Sequence, residues 1–421
     1  MVRKNIFLPG LLLFCFFLNL LIFQAGCWDR REPDFLGVVT AAAFDFEPQT
    51  GRLQVIAQVA NSLGIGTGES GGGNGGGGGG KNLFWVVEAG GQTIYEALKN
   101  IERVSSRKLL WSHLEVVLFS EEMAREGLLP ILDYIDRERQ ARLIARPFVV
   151  QGDVRQLLET EFPLEQLGGP ALIRQLLTIR METAFVPEVE SLRRLFSRLA
   201  KPGMELILPC IAVQAEKDEK GGPESGKDTR DKTGEPNPAK LSGGALFRGD
   251  KLVGFFNEKE TAGYLWLTNN IRRLTMVFNP PGEKDRHLTV EVFGAAVKLT
   301  PEVQGEQVRV HLTVHTKGRL QDFTGQKLPL AGDFKNSLNR RMATVIQNQI
   351  GLAWQKAREM NLDVFGIGHT LYQTKPQDWK RLERKWANIF PEVELEVEVQ
   401  ATIKSFGLVA DPINIHRTPS W

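Results

Sequence analysis

Two stretches of this chain cannot contribute to a packed core, and they decide where a fold can form. Residues 64 to 80 are a glycine tract broken by Asn74 and a few others. Glycine has no side chain to bury and loses the most backbone freedom on ordering, so the tract reads as a flexible loop. Residues 216 to 240 are nearly all Lys, Glu, Asp, Gly, Pro, Ser and Thr, with no aromatic residue. They read as a disordered segment, because too little apolar surface is available to offset the entropy of ordering. A fold must therefore be built from the segments around them. With 421 residues, two or three domains are expected rather than one core.

Those segments alternate between strand and helix signals. Gly37 to Val59 reads as a β-hairpin around the turn Glu47-Pro48-Gln49-Thr50-Gly51, and Phe84 to Glu88 as another strand. Thr93 and Glu96 form a capping box that opens a helix carrying Ile94, Leu98 and Ile101. His113 to Phe119 reads as a strand, 121–138 as helical and Leu143 to Val150 as a strand, and Asp153 can cap the helix after it. Apolar runs at 206–213 and 244–256 flank the charged 216–240 tract. Strands joined by a flexible link commonly pair, so the tract reads as a long hairpin loop, which costs little extra closure entropy.

The last third has the clearest periodicity. Leu288, Val290 and Val292 alternate, as do Val308, Val310, Leu312 and Val314, which predicts two strands with one buried face. A helix is expected over about 335–360, and a second from Pro376 in which Trp379, Leu382, Trp386 and Ile389 share a face before Pro391 ends it. Val393, Leu395, Val397, Val399 and Ile403 alternate with Glu392, Glu394, Glu396 and Glu398, the pattern of a half-buried antiparallel strand with a solvated acidic face. The expected fold is thus α+β and multidomain, with small mixed and antiparallel sheets packed against helices. Its divisions are a leader over 1–26, a mixed α/β domain over 27–200, a small middle domain over 201–283 and a C-terminal α+β domain over 284–421.

The N-terminus has its own logic. Arg3 and Lys4 precede an apolar run from Ile6 to Phe23, and Gln24-Ala25-Gly26-Cys27 leads into the polar Trp28-Asp29-Arg30-Arg31-Glu32. This is the layout of a lipoprotein signal peptide, with small residues admitting the chain to a peptidase that cuts between Gly26 and Cys27. The Cys27 thiol would take a diacylglyceryl group, whose two chains suffice for stable anchoring. Gln24 departs from the pattern, which has Leu, Val or Ile at that place. The alternative is an uncleaved N-terminal membrane helix with Cys27 incidental; either way the remainder is tethered outside the cytoplasm.

Charge and cysteine usage narrow the function classes. The precursor carries 52 basic and 50 acidic residues, and loss of Arg3 and Lys4 leaves 50 of each. That balance speaks against a nucleic-acid partner, which needs a dominant basic face. Of Cys15, Cys27 and Cys210, the first leaves with the leader and the second is acylated, so no intrachain disulfide is expected.

No reaction centre assembles. Gly68-Glu69-Ser70-Gly71-Gly72 spells a nucleophile elbow, and Gly75 to Lys81 most of a phosphate-binding loop. The first lies in the glycine tract rather than on a tight strand-to-helix turn, and the second has Asn82 and a strand where Ser/Thr and a helix are needed. His311 and His315 share one strand face, but a metal would need a third ligand that the sequence does not supply. His369 stands in a glycine-bounded loop without a nucleophile, and His113 reads as structural. The residues point to no catalysis, no metal and no cofactor, and they leave any ligand-binding residues unknown.

Several short motifs, in order, resemble one family. They are Gly26-Cys27-Trp28-Asp29-Arg30-Arg31-Glu32 with Leu36-Gly37; Trp111 to Ser120 with Glu121, Glu122 and Gly127; Gly244-Ala245-Leu246-Phe247 with Gly254; and Asp363 to Gly368 with Trp379, Trp386, Phe390-Pro391 and Gly407. Together they resemble the Ger(x)C lipoproteins, the C subunits of spore germinant receptors, over nearly the whole mature chain. The glycine tract and the 216–240 segment stand as insertions relative to that family. The resemblance implies a three-domain α+β protein without enzymatic activity, attached through Cys27 to the outer face of the spore inner membrane. It also implies assembly with two polytopic membrane proteins, the A and B subunits, in a complex that responds to nutrient germinants. A lipid-tethered solute-binding protein is the alternative, and it predicts two large α/β lobes around a cleft.

Overall fold

The computed structural model describes residues 36–60, 84–138, 141–160, 186–188, 190–213, 239–283, 285–324 and 332–404, with the isolated position 16. The leader, Gly26, Cys27, the glycine tract with its two motif strings, and the core of the charged tract lie outside the described residues.

The first sheet is built around parallel strands that read as continuous apolar runs. Strands β1 (Leu36–Glu47), β5 (Val116–Ser120), β6 (Arg146–Gln151) and β7 (Ile207–Val213) run parallel and adjacent. Parallel strands need crossovers that cover both faces, so their side chains are buried on both sides. In β1, Ala42 and Phe44 face one core while Ala41 and Ala43 face another; in β5, Val117 and Phe119 oppose Val116 and Leu118 in the same way. One face is covered by α1 (Ile94–Val104), α2 (Glu121–Glu126), α3 (Leu129–Arg137) and α5 (Leu192–Leu199), the other by α4 (Val154–Glu159).

Antiparallel strands extend the sheet on both sides. The expected hairpin is β1 with β2 (Arg52–Ala60), its turn closed by Gly51 in the left-handed region, and β3 (Phe84–Gly91) pairs with β2. On the far side, β7 pairs with β8 (Ala239–Arg248) from Val213↔Ala239 onward, and β8 with β9 (Lys251–Phe256). With β4 (Lys108–Leu110) beside β1, the sheet has nine strands, in the order β3-β2-β1-β5-β6-β7-β8-β9.

The second sheet has the order β10-β11-β12-β13. Strand β10 (Leu274–Phe278) borders the long hairpin of β11 (Leu288–Gln304) and β12 (Gln307–Phe323). Its buried face carries Leu288, Val290, Val292, Val310, Leu312 and Val314 and packs on α7 (Asp333–Glu359) through Leu338, Met342, Ile346 and Ile350. The apolar positions change from even numbers at 288–292 to odd numbers at 297 and 299. The change falls at Gly294, whose positive φ makes a β-bulge there.

Two expectations change, the direction of the last strand and the place of His113. Among the described residues, the strands of 201–283 belong to the two sheets, β7 to β9 completing the first and β10 edging the second. Strand β13 (Glu394–Ile403) runs parallel to β12, because the long crossover through α7 returns the chain in the same direction. The helical segments expected over about 121–138 are α2 and α3, divided at Gly127, which has a positive φ. His113 sits in a 3-10 turn, Trp111–His113, ahead of β5 rather than starting it.

The two sheets share one helix. α6 (Glu258–Leu267) opens with a reciprocal capping box between Asn257 and Glu260 and is buried on every side from Glu260 to Leu267. Its Tyr264, Leu265 and Trp266 join Ile207, Leu246 and Phe256 of the first sheet to the core of the second.

Candidate functional site

The residues of the C-terminal signature converge on a buried carboxylate. After α7, the chain passes through Asn361 in the left-handed region and buries Leu362, Asp363, Val364 and Phe365. Gly366, with φ 75°, then turns it into α8 (Ile367–Thr374). Asp363 Oδ1 accepts from the Gly366 and Ile367 N–H groups at 2.9 and 3.0 Å. Its Oδ2 accepts from Gly368 N–H at 2.7 Å and from the Trp386 indole at 3.0 Å. Burial pushes this carboxyl up to about 6, against the pull of the four donors that favour its ionised form. The side chain closes the helix start and anchors the tryptophan; all its hydrogen bonds are internal.

The same cluster clamps the first sheet to the second. The loop entering β7 lays Gly203 against Gly368. His369 N–H donates to Gly203 O and Glu205 N–H to Asp363 O, both at 2.9 Å. Gly203 has φ 67°, and a methyl there would come within 2.8 Å of the Gly368 carbonyl carbon; one on Gly368 would meet Trp379, Trp386 and Gly203 O. Trp379, Leu382, Trp386 and Ile389 are buried together, as their spacing predicts, although the segment is α9 (Pro376–Leu382), a 3-10 turn and α10 (Trp386–Ile389) rather than one helix. Other polar contacts join distant segments. Buried Arg198 donates to the Tyr264 hydroxyl at 2.7 Å, Arg248 reaches Met360 O at 2.7 Å, and the Asp250 carboxylate caps α3 at Leu129 N–H, 3.0 Å.

The remaining candidates stay apart. His311 lies on the outer face of β12 between Glu302, 3.5 Å from Nε2, and Glu396, 2.9 Å from Nδ1. His315 is exposed further along the same strand, and no metal-ligating group of three or more forms among the described residues. The acidic face of β13 is partly paired, Arg309 binding both Glu394 and Glu396. His369 opens α8 and stacks on Tyr372; burial lowers its pKa. Cys210 is a buried free thiol whose pKa burial pushes up to about 12, which keeps it protonated and unreactive. Among the described residues no helix is long and apolar enough to cross a membrane.

Fold and cluster together define a two-sheet α+β protein whose most distinctive residues hold its halves together. Two family models cover most of the chain: the spore germination protein N-terminal domain matches residues 29–213, and the C-terminal domain of the spore germination B3/GerAC-like proteins matches 242–407. Spore germination protein KC of Bacillus subtilis (strain 168) is 24% identical over 92% of this chain and 94% of its own. Spore germination protein GerQC of Bacillus cereus is 24% identical over 93% of this chain and 98% of its own. The crystal structure of the GerBC protein shares the fold, with a TM-score of 0.50 at 16% identity over 86% of this chain and 96% of that one. The chain belongs to the Ger(x)C family of spore germination proteins.

Proposed function

We propose that this chain is the non-catalytic, lipid-anchored C subunit of a nutrient germinant receptor, held by Cys27 on the outer face of the spore inner membrane. There it assembles with two polytopic subunits, A and B. The observation that carries the reading is the family match over both halves of the chain, together with relatives named as spore germination proteins across almost their full length. The inward-facing signature fits a structural rather than a catalytic role: Asp363, the buried carboxylate of the cluster, spends all its hydrogen bonds on the chain itself. A tethered two-lobed solute-binding protein fits less well, since the described residues form one nine-stranded and one four-stranded sheet clamped by a shared helix.

The test has two arms. Palmitate labelling in sporulating cells should mark the wild-type chain and not Cys27→Ala, and the variant should leave the membrane fraction. Deleting the gene in a strain without paralogues should abolish the response to nutrients while leaving germination by non-nutrient triggers intact. Unchanged labelling in Cys27→Ala overturns the anchor, and unchanged nutrient germination overturns the receptor role.

A further inference from the structure

The first sheet carries a cavity that neither the signature cluster nor the anchor uses. It is lined by residues of α1 and α3, by Phe44 of β1 and by the 3-10 turn at Trp111. Its floor is core: Phe44, Leu109, Leu114, Ile135 and Leu192. Its walls are Tyr95, Trp111 and Tyr134, and its volume is about 160 Å³. An apolar cavity of about 150 Å³ in another protein holds one benzene molecule, so this one has room for a single ring or a branched aliphatic group.

The rim fixes the polarity of what enters. Lys99 and Glu102 neutralise each other at 2.8 Å, with the Lys99 ammonium 5.5 Å from the centre of the Tyr95 ring. Tyr134 donates its hydroxyl to Glu138 at 3.4 Å. Burial and then the Glu138 charge raise the Tyr134 pKa to about 12, so the phenol stays a neutral donor. Lys108 and Arg142 also line the opening, and neither forms an ion pair with another described residue. An apolar hole whose mouth carries Lys99, Lys108 and Arg142 against Glu102 and Glu138, one cation in excess, favours an anion bearing a small hydrophobic body, the ring desolvated and the charge held at the surface.

We propose that this cavity binds a small organic carboxylate, its apolar body seated among Phe44, Leu109 and Trp111 and its carboxylate paired with Lys108 and Arg142. Both simple organic acids and amino acids carry that chemistry. The inference goes beyond the receptor reading and stands without it, because it is read by binding alone.

The test uses the full-length chain in detergent, titrated calorimetrically with phenylacetate, with benzyl alcohol and phenethylamine as neutral and cationic controls and with phenylalanine as the amino-acid arm. Phenylacetate should bind saturably at one site, at least ten-fold tighter than benzyl alcohol, with phenethylamine weaker still. Arg142→Glu, a surface change, should weaken phenylacetate at least ten-fold and narrow the gap to phenethylamine. Ala141→Trp, which fills the cavity mouth, should abolish binding while the circular dichroism spectrum is kept. Phenylalanine binding as tightly as phenylacetate assigns the amino-acid source, and weaker binding assigns the simple acid. Absence of saturable phenylacetate binding to the wild-type chain, or binding indifferent to Arg142→Glu, overturns the proposal.

Discussion

At the scale of single residues, Asp363 shows how a site can be conspicuous in sequence and structural in role. Its segment stands out by its glycines and flanking tryptophans, but its partners could not be read from the chain. The clamp joins Gly203 to Gly368, and nothing local records a contact across that separation. Asp363 also makes stability depend on pH. Its folded pKa of about 6 lies above the ordinary 3.8, so the folded state holds its proton to higher pH than the unfolded chain does. The stabilising contribution is complete below about pH 3.8 and is lost as pH rises through about 6, a loss on the order of 3 kcal/mol. The melting temperature of the wild type minus that of Asp363→Asn should therefore fall between pH 4 and pH 6.5 and stay level above pH 7. A pH-independent difference would show that the carboxyl titrates normally. Gly203→Ala tests the clamp sterically. Its left-handed φ and the overlap with Gly368 predict a loss of about 2–4 kcal/mol in urea unfolding.

At the scale of elements, legibility followed the number of buried faces. The 288–314 strands and the 376–389 segment each bury one face and keep one in water, so their periodicity is plain. Helix α6 is buried all round and carries no one-sided stripe, which is why its role as the shared helix is invisible beforehand. The direction of β13 was hidden for another reason: alternation reports which face is buried, not whether the neighbouring strand runs with or against it. α6 offers a substitution whose sign discriminates. In an exposed helix, Gly→Ala stabilises by about 1 kcal/mol. At Gly263 the added methyl would overlap the Gln349 carbonyl of α7, so Gly263→Ala should instead cost about 3 kcal/mol or more. Equilibrium denaturation gives the answer, and a gain in stability would mean the two helices are further apart than they stand here. Loss of the Asn257 cap, in Asn257→Ala, should cost about 1 kcal/mol by the same measurement.

At the scale of the whole molecule, the break between the two family matches is a break in sequence only. The family matches stop at residue 213 and resume at 242, yet β7 and β8 meet across that gap as neighbours in one sheet, Val213 opposite Ala239. The second match therefore begins inside the first sheet, and Ile207, Leu246 and Phe256 bind that sheet to the core of the other through α6. An anchor at Cys27, as proposed, would act on this unit as a whole. Leu36 lies nine positions after Cys27, an extended reach of about 30 Å, which would keep the start of β1 close to the bilayer. Because the connection between 213 and 239 joins two strand ends that already lie side by side, covalent continuity there should matter little, while the strand pairing on either side should matter a great deal. Residues 28–213 and 239–421 expressed as separate chains in one cell should co-purify as a one-to-one complex that unfolds in a single transition, its midpoint rising with protein concentration. Residues 239–421 alone should not fold stably, since β8 would lose β7 and α6 would lose Ile207 and Arg198. A monomeric 239–421 fragment with a cooperative melt would place the true division of the molecule at the charged tract and dissolve the two-sheet clamp argued from α6.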